Sequence, residues 1–511
     1  MAKKVIPFRD RDLVSISRWA LRGFATVRIA LQARVSAPWS IATTAVILGW
    51  RFFHLIWQYS VNVLYADQWD FLQLLFRDHP PVKQLFLMQQ GPHREGIGLL
   101  ADWALYSLTG WNVRVESFFL GICIFTAMLL ALVLKRRLFG SLSYADVAIP
   151  ILFLRLAQWE TVLSINNPSY SALPLLLLVA YCLALLDGRR WRKYAVVLTL
   201  NFLLIYTGFG FFIGPVTLGV FLFECYRNWR GLAEGPLALP VIGLAIAAAS
   251  FASFFNNWSL VPAVSCYAPS WSLLPRYAEF VGLMFANFLG LVRMELHPAA
   301  IGMSILIATG AVLTNQLGRQ CKPQEDGRRA TEAPLIASVL LLYSVLFAAS
   351  TAVGRLCLGL PGAAFVSRYT TLLIPGFLAV YFAVLAFSSE PIRRRAVALF
   401  LLVMVPGGWW QREDARYSLA ISSERIRKGA AVLFLLAIIP GAWLLREEEA
   451  RRLAQLAEGK RAWADCYIQT EKISACDQST GFAVYSDPER GGLQEKLDFL
   501  KRHHLSLFSR P

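Results

Sequence analysis

The sequence predicts an all-α, polytopic membrane protein of about 11–13 transmembrane helices, and three observations carry that prediction. Of 511 residues, 56% are hydrophobic and only 16% charged, where a soluble chain carries about 25% charged residues. Apolar runs of about the length that crosses a bilayer as a helix recur along the chain. The net charge of +17, from 50 Lys and Arg against 33 Asp and Glu, falls in short clusters between those runs. It therefore reads as membrane topology rather than as a nucleic-acid-binding domain.

Residues 1–38 carry Lys3, Lys4, Arg9, Arg11, Arg18, Arg22, Arg28 and Arg34, with Leu13, Ile16, Ala20, Phe24, Val27 and Leu31 at three-to-four spacing. That is the pattern of a basic amphipathic helix on an anionic inner leaflet; a solvated basic tail is the plainer alternative. The first long apolar run starts near Trp39 and shows no cleavage site, so it is expected to stay as an anchor. Apolar runs lie at 39–59, 113–134, 142–158, 171–186, 194–208, 211–226, 236–255, 299–317, 334–353 and 369–388. Alternate connections hold Lys135, Arg136 and Arg137; Arg189, Arg190, Arg192 and Lys193; Arg227 and Arg230; Arg319, Lys322, Arg328 and Arg329; and Arg393, Arg394 and Arg395. Basic loops stay inside, which puts the N-terminus in the cytoplasm and the loops 60–111, 159–170, 208–210, 256–298 and 354–368 outside. The apolar stretch 277–291 is expected to dip into the outer leaflet. Residues 399–414 resemble 433–448, a tandem repeat with a basic cluster before each copy. One crossing there is favoured, which completes a transmembrane domain over 39–445 and leaves the polar tail 446–511 outside.

The eight cysteines form no CxxC and no metal-ligand spacing, and most are expected to be small apolar fillers of helices. Cys466 and Cys476, in the polar tail, are the exception: a disulfide suits them if the tail faces an oxidising compartment. Soluble nucleotide and hydrolase chemistry is excluded, since there is no G-x-G-x-x-G after a strand, P-loop, H-E-x-x-H or G-x-S-x-G.

Chemistry points to the outer loops. In loop 60–111, Asp67 and Asp70 stand three apart, so on a helical turn they share a face where they can hold a metal or act as a base; capping the helix from Trp69 is the structural alternative. His93 adds a proton acceptor, with a solvated loop histidine as the plainer alternative, and Arg94 a fork that suits phosphate or carboxylate. Glu160 closes the third span, and Arg355 and Arg368 flank the last large outer loop. Acids early and arginines late suit an anionic ligand at the outer interface, with snorkelling or lipid contact as the alternative for Arg355 and Arg368.

Asp67-Gln-Trp-Asp70, His93-Arg94, Gln158-Trp-Glu160, Thr207-Gly-Phe-Gly210 with Pro215, and Arg355 followed by Ser367-Arg368-Tyr369 resemble the GT-C superfamily of integral-membrane glycosyltransferases, most nearly a group of bacterial membrane proteins placed near it. The likeness covers most of the chain up to about residue 390. It departs where Gln68 follows Asp67, where Gly91-Pro92 precedes His93, and where Asn167 and Ser169 follow the Trp-Glu pair. The resemblance implies a GT-C-like fold with amphipathic outer-loop helices in a bacterial inner membrane. The donor would be a polyprenyl-phosphate sugar and the acceptor a glycan, lipid or protein, with membrane lipids around the chain and no nucleic-acid partner. It implies inverting transfer with Asp67 as base, and Asp70 or His93 orienting it. Arg94, Glu160, Arg355, Arg368 and Tyr369 would bind substrate, and Asp67 and Asp70 a divalent cation, magnesium or manganese, if one is used. Two other classes compete: a transporter or flippase of lipid-linked glycans, which calls for charged groups in mid-span and matching broken helices, and an O-antigen-type polymerase or ligase, whose largest outer loop comes late in the chain.

Overall fold

The computed structural model describes residues 36–232, 235–261, 264–291, 297–320, 329–386, 447–486 and 491–509. The basic segment before residue 36 and the tandem-repeat region between 387 and 446 lie outside them. Within them the chain is helical almost throughout, and the one strand pairing is a hairpin of Gln89–Gln90 with His93–Arg94.

Among the described residues six helices are long and apolar enough to cross a membrane: Ala37–Tyr59, Val113–Phe139, Gly208–Trp229, Pro298–Gly318, Glu332–Leu358 and Ser367–Leu385. Ala172–Leu185 and Ala238–Phe254 are shorter apolar helices beside them. On the first helix Phe52, Leu55 and Ile56 are buried in the core, while Val46, Trp50 and Trp57 are 67%, 70% and 64% exposed. An apolar surface of that extent is stable in lipid rather than in water, so the chain is an all-α polytopic membrane protein.

The expected span at 142–158 is not one helix. Helix Ala148–Phe153 stops at Leu154, Arg155 is extended, and helix Trp159–Leu163 resumes after a single turn. Broken backbone survives at membrane depth only where protein satisfies the freed polar groups. Here the buried Gln158 donates to Phe153 O and accepts from Thr371 Oγ1 at 3.1 Å, and Thr161 shares a hydrogen bond with Thr371 at 2.9 Å. Helix Leu274–Phe288, the stretch expected at the outer leaflet, packs into the bundle, with Phe288 stacked on Phe377 at 4.1 Å.

The bundle has two chemically distinct ends. At one, buried Lys135 and Asp146 pair at 2.7 Å, Tyr381 donates to the same carboxylate at 2.7 Å, and Lys193 pairs with Glu224. At the other, Asn166 donates to Ser117 Oγ at 2.7 Å. Ser117 and Lys135 lie on one helix, about 27 Å apart at 1.5 Å per residue, close to the thickness of a bilayer core. The loop 60–111 gathers at the Ser117 end, and the C-terminal tail folds onto it: Trp69, Leu72 and Leu75 share a core with Trp463, Tyr467, Val484 and Leu497.

Cys466 and Cys476 form a disulfide. So do Cys266 and Cys357, which corrects the expectation that those two fill helices: both are exposed, in connections at the Ser117 end of the bundle.

Candidate functional site

The turn at 65–70 is built to display one carboxylate. Ala66 adopts a left-handed φ of +50°, an uncommon state for a residue with a Cβ. The buried Gln68 side chain accepts from the Tyr65 N–H at 3.0 Å and donates to Glu116 Oε2 at 3.1 Å. Asp67 precedes the short helix Gln68–Phe71 without capping it. Its carboxylate stays 46% exposed, 3.8 Å from Arg368 Nη1. Asp70 is committed elsewhere, accepting from Tyr485 Oη at 2.6 Å. The shared face expected of the pair is thus divided between two partners, and the pair does not fit a metal site built on both acids. Among the described residues no three His, Cys, Asp or Glu gather closely enough to hold a metal ion.

The hairpin at 89–94 divides its two functional side chains as a strand must, to opposite faces. Gly91, at φ +56°, makes the turn with Pro92, a backbone state glycine reaches without penalty. His93 is half-buried against the Phe209 ring at 4.5 Å. Burial, with the Arg355 charge second, pushes its imidazole down to about 4, so it is neutral at physiological pH. Arg94 points inward and is 2% exposed. Its Nε donates to Phe254 O and its Nη1 to Leu87 O, each at 2.7 Å, and its Nη2 to Asn256 O. With these donors spent on carbonyls it fastens two loops together.

Arg368 is positioned by the broken crossing. Its N–H donates to Glu160 Oε2 at 3.0 Å, while Ser367 Oγ accepts from the Glu160 N–H at 3.3 Å and donates to Ala157 O at 2.7 Å. Glu160 therefore caps the 367–369 turn and leaves the Arg368 guanidinium directed at Asp67. Tyr369 is 6% exposed, against Phe347 at 6.1 Å, and belongs to the core. Arg355, at the end of helix Arg329–Arg355, is half-buried and makes no hydrogen bond or ion pair among the described residues.

Sequence reasoning passed over two residues. Tyr170, half-buried beside Phe209 at 5.7 Å, lies within the fields of Glu95, Asp67, Arg368 and Arg355, and burial followed by the two acids raises its phenol well above the usual range. Glu95 is fully buried, accepts from Asn167 Nδ2 at 2.7 Å and leaves Oε1 without a protein partner. Burial pushes its carboxyl up to about 8, so it is a neutral acid at pH 7. The signal was the polar run Asn166-Asn-Pro-Ser-Tyr170 set directly before an apolar helix.

Asp67, Glu160, Arg368, Arg355, His93 and Tyr170 thus gather at one end of the bundle, whereas Asp70, Arg94 and Tyr369 serve the framework around them. An exposed acid, two guanidiniums and a neutral imidazole at the edge of a membrane-thick bundle can accept a proton and hold an anion side by side. No protein-family model, no curated protein and no solved structure matches this chain.

Proposed function

We propose that the chain is a GT-C-like glycosyltransferase that takes sugar from a polyprenyl-phosphate donor at the extracytoplasmic face of a bacterial inner membrane. The observation that carries this reading is the meeting of Asp67, from the first loop, with Arg368, from the last described span, at 3.8 Å. A long, half-solvated ion pair of that kind contributes little to stability and yields readily to a substrate placed between its partners.

In this reaction Asp67 takes the proton of the acceptor hydroxyl as its oxygen attacks C1 of the sugar. The C1–O bond to phosphate breaks with its electron pair passing to the polyprenyl phosphate, and the anomeric centre inverts. The leaving phosphate gains a negative charge, which Arg355 and Arg368 offset with charge-assisted hydrogen bonds. Neutral His93 offers the same oxygens a hydrogen bond, and Glu160 keeps the Arg368 turn in place. No step here calls for a divalent cation.

The test supplies vesicles containing the purified protein with a panel of polyprenyl-phosphate hexoses and pentoses, together with envelope glycan, lipid and protein fractions as acceptors, and follows release of polyprenyl phosphate. A positioned general base contributes roughly 10²–10⁴-fold, so Asp67→Asn is expected to lower turnover by at least about 10² with its melting temperature unchanged. Full turnover by that variant would remove Asp67 as the base.

A further inference from the structure

The residues on both sides of Asp67 are held by a part of the chain some four hundred positions away. Tyr65 lies between two tail groups, with the Phe482 ring stacked at 5.5 Å and Lys460 Nζ 4.9 Å from its centroid. The Ala66 N–H donates to Val484 O at 2.8 Å. Trp69 O accepts from Lys496 Nζ at 2.8 Å, and Asp70 from Tyr485 Oη at 2.6 Å. Among the described residues, Asp67 and Gln68 alone of the six residues 65–70 make no such contact with the tail, and Gln68 hangs from Glu116 instead.

Ala66 is the point on which this arrangement turns. A left-handed alanine persists only where its surroundings over-determine it, and here the over-determination comes from the Val484 carbonyl and from the grip on Tyr65. If Ala66 relaxes to negative φ, Tyr65 and Asp67 rotate relative to each other and the carboxylate leaves Arg368. The tail is itself braced for this task. Its helices Glu447–Thr470 and Ile473–Thr480 are joined by the Cys466–Cys476 disulfide. Lys460, 2% exposed, donates to Leu163 O at 3.4 Å. Gly459 leaves room for Phe482, since a Cβ there would stand 2.3 Å from that ring.

We propose that the C-terminal tail is a template for the Asp67 turn, and that Phe482 and Tyr485 are positioning residues that act on Asp67 through Tyr65, Ala66 and Asp70. The catalytic consequence rests on the transferase reading; the structural one does not. Hydrogen–deuterium exchange on the full-length protein in nanodiscs separates them. Phe482→Ala and Tyr485→Phe are expected to speed amide exchange across residues 63–72 at least about tenfold, leaving the 350–358 segment unchanged. Tyr485→Phe removes a single hydroxyl and reports even if the larger truncation fails to fold. Ala66→Gly, which relieves the left-handed strain, is expected to restore slow exchange in the Tyr485→Phe background, a rescue that mere loss of tail packing does not explain. Exchange in 63–72 within twofold of wild type for both tail variants, or no rescue by Ala66→Gly, would overturn the template. In the transfer assay the tail variants lower kcat with the donor KM unchanged, because among the described residues Arg355 and Arg368 make no hydrogen bond or ion pair with the tail. Exchange that behaves as expected in a protein that turns over no polyprenyl-phosphate sugar would leave the template standing and remove the transferase.

Discussion

Two arginines of the same chain show how far side-chain chemistry depends on direction. Arg94 and Arg368 carry identical forks, yet Arg94 has delivered its donors to three carbonyls, whereas Arg368 spends only its backbone N–H and keeps its guanidinium at Asp67. Glu95 makes the corresponding point for acids. Burial takes its carboxyl from the ordinary 4.5 up to about 8, against the opposing hydrogen bond from Asn167. Between those values the native state keeps a proton that the unfolded chain has lost, so stability falls as pH rises from about 4.5 to about 8 and stays reduced above it. Glutamine reproduces the shape of the protonated acid. In detergent melts Glu95→Gln is expected to match wild type near pH 5 and to melt at least about 2 °C higher at pH 9. Comparing variant with wild type cancels the opposite slope from His93, whose depressed imidazole makes stability fall as pH drops from 6.5 toward about 4. An offset that stays constant from pH 5 to 9 would mean that Glu95 is ionised throughout.

Among the elements, those that place the site are the irregular ones. The break at Arg155 lets Glu160 turn onto the 367–369 segment, which an unbroken helix of the same length would not do. It was hidden because periodicity averages over a window and sees only an apolar run at 142–158; the polar partners that make a break tolerable, Thr371 above all, lie more than two hundred residues away. The Cys266–Cys357 bridge escaped for a similar reason, since two singletons 91 positions apart carry no spacing signal. It fastens the connection after helix Ala238–Phe254 to a point two residues beyond Arg355. Closing so long a loop removes at most about 4–5 kcal/mol of unfolded-chain entropy, and membrane helices restrict that chain further. The sharper effect is expected locally: replacing both cysteines by serine frees the helix end that bears Arg355. Titration with a polyprenyl phosphate is then expected to show affinity lowered by about tenfold, one charge-assisted contact or less. Equal affinity for both proteins would show that Arg355 is held by its helix alone.

On the scale of the whole molecule, composition and charge clusters made the membrane class legible. Asp67, Glu160, Arg355 and Arg368, singled out from loop position and residue type, lie at one end of the bundle. The commitment of Asp70 to Tyr485 was not legible, because nothing local ties residue 70 to residue 485. That long-range contact also bears on topology. Tyr381, in the last described span, bonds to Asp146 at the Lys135 end, whereas at the opposite end Lys460 lies over the Tyr65 ring and Ser506 bonds to Asn62 and Gly110. If Lys135, Arg136 and Arg137 stand on the cytoplasmic side, as the positive-inside rule proposes, the tail lies on the other side with loop 60–111. Its disulfide suits that placement, since such bonds persist in oxidising compartments. The measurement is labelling of intact cells with a membrane-impermeant maleimide after brief reduction. Cys466, on the partly exposed side of its helix, is expected to react without lysis. A cysteine introduced in place of Arg136 is expected to react only once the membrane is opened. Labelling of both positions in intact cells would contradict the assigned polarity. Labelling of position 136 but not of Cys466 would turn the bundle over and place Asp67 with Arg368 in the cytosol, where an extracytoplasmic sugar transfer has no access to them.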